Sequence, residues 1–192
     1  METTTKSILL AGVGGQGILL ASEIVAQTAM HCGFDVKTNE VHGMAQRGGS
    51  VVAQIRYGQK VNSPIILEGT ASVLGSLELI ESLRYAHFLE PGAWAVISHQ
   101  RMIPVTVSSG MAKYPEDAEE RIRQTFPHHK LVEAERIAQE AGTIKAANVV
   151  VLGAIASVLD LPREAWETAV AACVKPQHRD LNLRAFAAGF QL

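Results

Sequence analysis

Cysteine is nearly absent from this chain: Cys32 and Cys173 are the two in 192 residues, with no CxxC pair and no Cys/His cluster near either. An iron–sulfur cluster or a structural zinc needs about four ligands, so this polypeptide cannot hold either one alone. The same scarcity points to a reducing compartment, because secreted chains of this size more often carry a disulfide framework. Long apolar runs are missing too. A stretch such as Ala146 to Leu159 contains Asn148 and stops short of the roughly 20 residues a membrane span needs. The opening Met1-Glu2-Thr3-Thr4-Thr5-Lys6 is polar and leads into a strand-like run, without the form of a signal peptide. No run of one charge occurs: Lys plus Arg count 17 against 19 for Asp plus Glu, a net of −2. Duplex nucleic acid therefore lacks the clustered cations it needs in a partner. The expectation is a cytoplasmic protein bound to neither membrane nor nucleic acid.

What is present is core-forming material. Apolar residues make up 47%, charged residues 19%, and the mean hydropathy is +0.13. One globular unit over residues 1–192 is expected, burying roughly 70% of its unfolded surface. Ser7 to Ala11 is an apolar run ending in glycines, as in a strand buried on both faces of a parallel sheet. Helical spacing over residues 16–32 closes at Gly33, and Phe34 to Thr38 gives a second strand, completing a strand–turn–helix–strand crossover. Asn39 to Gly49 shows neither period and is expected to be a loop. From Ser50 the chain alternates, a half-buried strand turned into a hairpin at Gly58-Gln59-Lys60.

Further strands are expected at Ala71 to Leu77, Trp94 to Ile97, Pro104 to Val107 and Lys130 to Val132. Helices are expected at Glu78 to Leu89, Pro115 to Phe126 and Glu133 to Ala141, then through almost all of the last fifty residues. Alternating strand and helix predict an α/β fold: a three-layer α/β/α Rossmann-like domain, largely parallel with one antiparallel hairpin and a helical C-terminus.

Gly12, Gly14 and Gly17 satisfy GxGxxG between a strand and a helix, with Gly15 and Gln16 inside the turn. That context raises the motif above noise, since such glycines let backbone N–H groups approach an anion at a helix N-terminus. A valine at Gly14 would clash wherever φ is positive or helix and strand abut. The dinucleotide fingerprint also asks for an acidic residue at the end of the second strand. Lys37-Thr38-Asn39 stands there, and Glu40 comes late. A plain packing turn and a ligand cradle are both open readings of the loop.

Ala11-Gly12-Val13-Gly14-Gly15-Gln16-Gly17, followed by Glu40-Val41-His42-Gly43-Met44-Ala45-Gln46-Arg47-Gly48-Gly49-Ser50-Val51, resembles the gamma-type subunits of the 2-oxoacid:ferredoxin oxidoreductases. Within them the wording is most similar to the beta subunit of the indolepyruvate enzymes. Ala147 to Ala154 and Leu181 to Phe186, with Asn148 and Asn182, are similar as well. The resemblance implies one component of an enzyme that oxidatively decarboxylates 2-oxoacids to acyl-coenzyme A. It further implies a larger catalytic subunit carrying thiamine diphosphate, Mg2+ and iron–sulfur clusters, with coenzyme A as co-substrate and ferredoxin as the indirect electron acceptor. This chain itself would bind no cofactor alone, and in isolation a homodimer is open to it.

The residues expected to touch a ligand or the partner are the five of the glycine turn, then Glu40, His42, Gly43, Met44, Gln46, Arg47, Gly48 and Gly49, then Asn148 and Asn182. Arg47 offers a guanidinium fork for a carboxylate or phosphate. His42 can hold or donate a proton near neutral pH. No catalytic residue and no metal ligand is assigned. The readings held beside the subunit are a stand-alone NAD- or FAD-binding oxidoreductase and a non-enzymatic adaptor of the same fold.

Overall fold

The computed structural model describes residues 5–43 and 48–192. The strands are β1 (Lys6–Val13), β2 (Asp35–His42), β3 (Ser50–Gly58), β4 (Ala71–Ser76), β5 (Leu89–Ser98) and β6 (His129–Val132). They form one sheet in the order β2-β3-β1-β4-β5-β6, in which β3 alone runs against its neighbours and the other pairings are parallel. The helices are α1 (Ile18–His31), α2 (Leu79–Arg84), α3 (Val105–Ser108), α4 (Ala118–Thr125), α5 (Ala134–Ala141), α6 (Ala147–Ala156), α7 (Arg163–Cys173) and α8 (Arg179–Phe190).

The alternation along β1 divides the interior into two cores. Ile8 and Leu10 meet Ile24 of α1, Val150 of α6, Trp166 of α7 and Phe186 of α8, while Leu9 and Ala11 meet Leu79 of α2 and Ile122 of α4. Helices therefore cover both faces, as expected for a three-layer α/β/α domain. A fully buried Ile8 or Leu9 is worth roughly 1.5–3 kcal/mol of transfer free energy. α6 and α8 cross with almost no side chain between them: a Cβ on Gly153 would strike the Phe186 carbonyl, and one on Gly189 the Val150 carbonyl. Among the described residues no helix is long and apolar enough to cross a membrane.

Five local expectations are corrected. The hairpin partner of β3 is β2 before it, not a strand after Gly58. β3 is buried almost throughout instead of on one face, because it lies between β1 and β2. β2 runs on to His42, since Glu40, Val41 and His42 pair with Ala53, Val52 and Val51, so the connection shrinks to residues 43–49. Pro104 to Val107 is no strand: the N–H groups of Val107 and Ser108 both return to the Pro104 carbonyl, and this local turn overrides the β propensity of Val-Thr-Val. The helix expected from Glu78 to Leu89 is shorter as well. It stops at Arg84, a 3-10 turn follows at Ala86–Phe88, and Leu89 already pairs with Ala71.

Candidate functional site

Strands β1, β2, β4, β5 and β6 all point their C-terminal ends to one edge of the sheet, where open α/β folds place their ligands. The glycine turn and the connection after β2 both emerge there, and the fold joins them. The Gly14 N–H donates to the Gly49 carbonyl at 2.9 Å, and the Gly43 N–H to the Ser50 carbonyl at 2.9 Å. Met44, Gln46 and Arg47 lie outside the described residues. Gly48, on the far side of them, lines a cavity of about 440 Å³ with Glu78 and Tyr114.

Gln16 turns the glycine loop into a clip. Its Oε1 accepts from the Val13 N–H at 2.7 Å, and its Nε2 donates to the Leu77 carbonyl and to Gln100 Oε1, both at 2.6 Å. Gln100 in turn donates to Glu135 at the start of α5, at 2.6 Å. Gly12 is glycine because of this clip: a Cβ there would sit 2.8 Å from Gln16 Oε1 and 3.2 Å from Leu77 Cβ. The left-handed backbone falls on Gly15 and Gly17, with φ of 101° and 83°, and not on Gly14. The expected strain at Gly14 therefore moves one and three residues along. Gly17 caps α1, and its carbonyl accepts from Asn148 Nδ2 at 3.2 Å, which ties α6 to the loop.

Chemically, the loop is a half-spent cradle. Gly14 and Gln16 use their N–H groups inside the fold, whereas those of Gly15 and Gly17 have no partner among the described residues. α1 has neither a side-chain cap nor an acidic residue in its first turn, so its N-terminal end offers donors and positive potential to one anionic group. A cavity of about 540 Å³ opens beside it, lined by Gly14, Gly17, Leu19, His42 and Gly43. His42 and Glu40 stand exposed at the end of β2. Asn182 is not part of this assembly. It lies on α8 and donates from Nδ2 to the His178 carbonyl at 2.8 Å.

A dinucleotide site is not built here. In that arrangement the second strand flanks the first and its terminal carboxylate reaches the ribose. In this sheet β3 stands between β1 and β2, so the end of β2 is two strand spacings away, about 9–10 Å.

The residues that sequence reasoning missed lie on the other side of β1. Glu78 is 2% exposed, yet four donors satisfy it: the N–H groups of Ile80 and Glu81 at 2.6 and 2.9 Å, Tyr114 Oη at 2.6 Å and the Met102 N–H at 3.3 Å. Burial first, and the Glu78 carboxylate second, push the Tyr114 phenol well above its ordinary range. Ser50 donates to Glu81, which also accepts from Arg84 at 3.0 Å, so the hairpin is anchored to α2. The signal for Glu78 was its place as a helix-capping carboxylate. Nothing in the pattern marked Tyr114 or Gln100.

Around this edge sit four exposed large apolar side chains: Leu19, Ile103 and Ile144, each lining one of its cavities, and Val41 near the end of β2. Exposed apolar side chains at one edge are what an interaction face would present. Among the described residues no three His, Cys, Asp or Glu gather to hold a metal, and the two cysteines stand singly. The residues present do not fit an iron–sulfur cluster.

Comparison with known proteins agrees with this architecture. The family model described as pyruvate ferredoxin/flavodoxin oxidoreductase matches residues 7–192. The indolepyruvate oxidoreductase subunit IorB of Archaeoglobus fulgidus is 43% identical, covering 96% of this chain and 93% of its own length. Its namesake from Thermococcus kodakarensis is 37% identical over 95% and 93%. The keto/oxoacid ferredoxin oxidoreductase gamma subunit of Geobacter sulfurreducens shares the fold, with a TM-score of 0.72 at 23% identity over 97% of this chain and 96% of that one. This chain, with its sheet edge built from a glycine clip and an antiparallel hairpin, belongs to the pyruvate ferredoxin/flavodoxin oxidoreductase family.

Proposed function

We propose that residues 1–192 act as one domain, the small cluster-free subunit of an indolepyruvate:ferredoxin oxidoreductase that converts aryl pyruvates to acyl-coenzyme A and passes the electrons to ferredoxin. The observation that carries the reading is end-to-end identity of 43% and 37% with two IorB subunits. A larger partner carries the thiamine diphosphate and the clusters, which supply the decarboxylation and electron transfer. No chemical step is assigned to this chain's own side chains. Its part is to hold the sheet edge, with the glycine clip, the 43–49 connection and the four apolar residues around them, against the partner near the reacting centre. The missing acidic residue and the intervening β3 both argue against a stand-alone nucleotide enzyme.

The test is reconstitution. The isolated chain should be colourless and inactive, and co-expression with the large subunit should give indolepyruvate- and coenzyme A-dependent reduction of a viologen dye. Turnover by this chain alone, or failure of the two chains to co-purify, overturns the reading.

A further inference from the structure

Away from the glycine clip, a cavity of about 570 Å³ opens between the turn before α6, the end of α7 and the start of α8. Its size falls within the usual range of small-molecule sites. Val174 and Leu181 give it apolar walls, and Lys145, Lys175 and His178 stand around it. These three bases form no ion pair among the described residues. Arginines of α2, α4, α5 and α7 lean on nearby carboxylates along their own helices, whereas Lys6, Lys60 and Lys113, like the bases here, have no carboxylate partner among the described residues. What sets these three bases apart is their gathering around one hollow, in a chain whose net charge is −2.

Asn182 adds a directional group. It is 9% exposed, in a helix whose neighbouring positions pack into the core. Its Nδ2 donates to the His178 carbonyl at 2.8 Å, which fixes the amide orientation because a carbonyl can be met only by the NH2 side. Its Oδ1 has no partner among the described residues, and Asn182 belongs to the cavity lining. That oxygen is not among the buried atoms left without a partner, so it meets solvent, and a ligand donor there would take the place of water.

We infer that this cavity binds a small organic anion: a carboxylate or phosphate head among Lys145, Lys175 and His178, an apolar body against Val174 and Leu181, and an N–H or O–H donor to Asn182 Oδ1. The inference stands apart from the subunit reading, because neither the glycine clip nor the partner face takes part in it. Lys145 also borders the cavity of about 300 Å³ that contains Gly14 and Gln16, so an occupant would lie beside the clip without entering it.

The experiment uses the full 192-residue chain and four probes. Indole-3-acetate has the head, the body and the donor. Indoxyl phosphate changes the head, 1-methylindole-3-acetate removes the donor, and 3-methylindole removes the charge. By isothermal titration calorimetry, indole-3-acetate or indoxyl phosphate should bind, the tighter of the two identifying the head. Losing the charge, or replacing both exposed lysines (Lys145→Gln with Lys175→Gln), should weaken binding at least about tenfold. Losing the donor should weaken it by a smaller factor, and that loss should vanish in Asn182→Leu.

Location is read independently at Cys173, which lines the cavity and whose thiol is pushed up by burial and then by Glu23. In a Cys32→Ser background the ligand should slow maleimide labelling of Cys173. No binding by either anion, binding indifferent to the two lysines, or unprotected Cys173 overturns the proposal. So does loss of co-purification with the large subunit in the double-lysine variant without any ligand affinity in the parent, because the bases would then be a docking patch for acidic side chains.

Discussion

Gln16 is the side chain whose removal tests most directly how the candidate site is held. It makes three hydrogen bonds of 2.6–2.7 Å, and they fasten the end of β1 to the residue after β4 and to the residues following β5. Each such bond contributes a net of about 0.5–1.5 kcal/mol, and the site is only partly buried. Gln16→Ala should therefore cost roughly 2–3 kcal/mol. At about 2–4 °C per kcal/mol for a chain of this length, the melting temperature should fall by about 4–12 °C. Gln16→Glu is the sharper perturbation because shape and volume stay the same. The retained oxygen can still accept from Val13, but the donor becomes an acceptor facing the Leu77 carbonyl and Gln100 Oε1. If the clip works as described, Gln16→Glu at pH 7 destabilises the isolated chain at least as much as Gln16→Ala. Thermal melts followed by circular dichroism, with urea titrations for ΔG, give both numbers. A Gln16→Ala variant within about 1 °C of wild type, or a Gln16→Glu variant as stable as wild type, refutes the clip.

Other substitutions separate the remaining parts. Gly17→Ala places a Cβ 2.5 Å from Asn148 Nδ2 at a φ of 83°, whereas Gly15→Ala at 101° meets nothing within 4 Å. Gly15→Ala should cost about 1–2 kcal/mol from backbone conformation alone, and Gly17→Ala should cost more; adding Asn148→Ala should recover part of that excess in a double-mutant cycle read by urea unfolding. Gly189→Ala drives a Cβ into the Val150 carbonyl and should yield no soluble folded subunit, as judged by gel filtration.

His99 should make stability depend on pH. It meets Glu119 at 2.7 Å and Glu133 at 2.6 Å through its two ring nitrogens, and the hydrogen bond to Glu119 leads in raising its pKa. A raised folded pKa gives stability that is full below the unfolded value of about 6.5 and is lost as pH rises through the folded value. The Glu119 pKa is lowered, chiefly by the same bond, so its contribution is present above the unfolded carboxylate value and lost as pH falls through the folded one. Wild type should exceed His99→Gln in melting temperature most at about pH 5.5–6.5, with the gap closing toward pH 9; a pH-independent gap refutes this ion pairing. Arg47→Ala, argued from the sequence, should leave the melting temperature of the isolated chain within about 2 °C and yet lower assembly or reconstituted rate at least about tenfold; wild-type assembly and rate together would remove Arg47 from the interface.

The sequence by itself determined what depends on neighbours along the chain. Ser7 to Ala11 reads as a strand buried on both faces because its run is continuously apolar, and it is one. The GxGGQG turn reads as strand-to-helix because residues without Cβ permit it, and Gly15 and Gly17 indeed hold positive φ. The α/β class, the C-terminal helices and the family resemblance were legible for the same reason.

Tertiary structure decided what depends on pairing across the chain. Whether β3 inserts between β1 and β2 is set by strand registers such as Leu10 with Ala53, which no local period encodes, and that insertion is what removes the dinucleotide site. The partners of Gln16 lie 61 and 84 residues away, and Tyr114 reaches Glu78 across 36. Such contacts become visible only once the two cores have brought the strand ends together, because hydrophobic burial fixes which segments meet and hydrogen bonds then select among the polar groups delivered to the same edge.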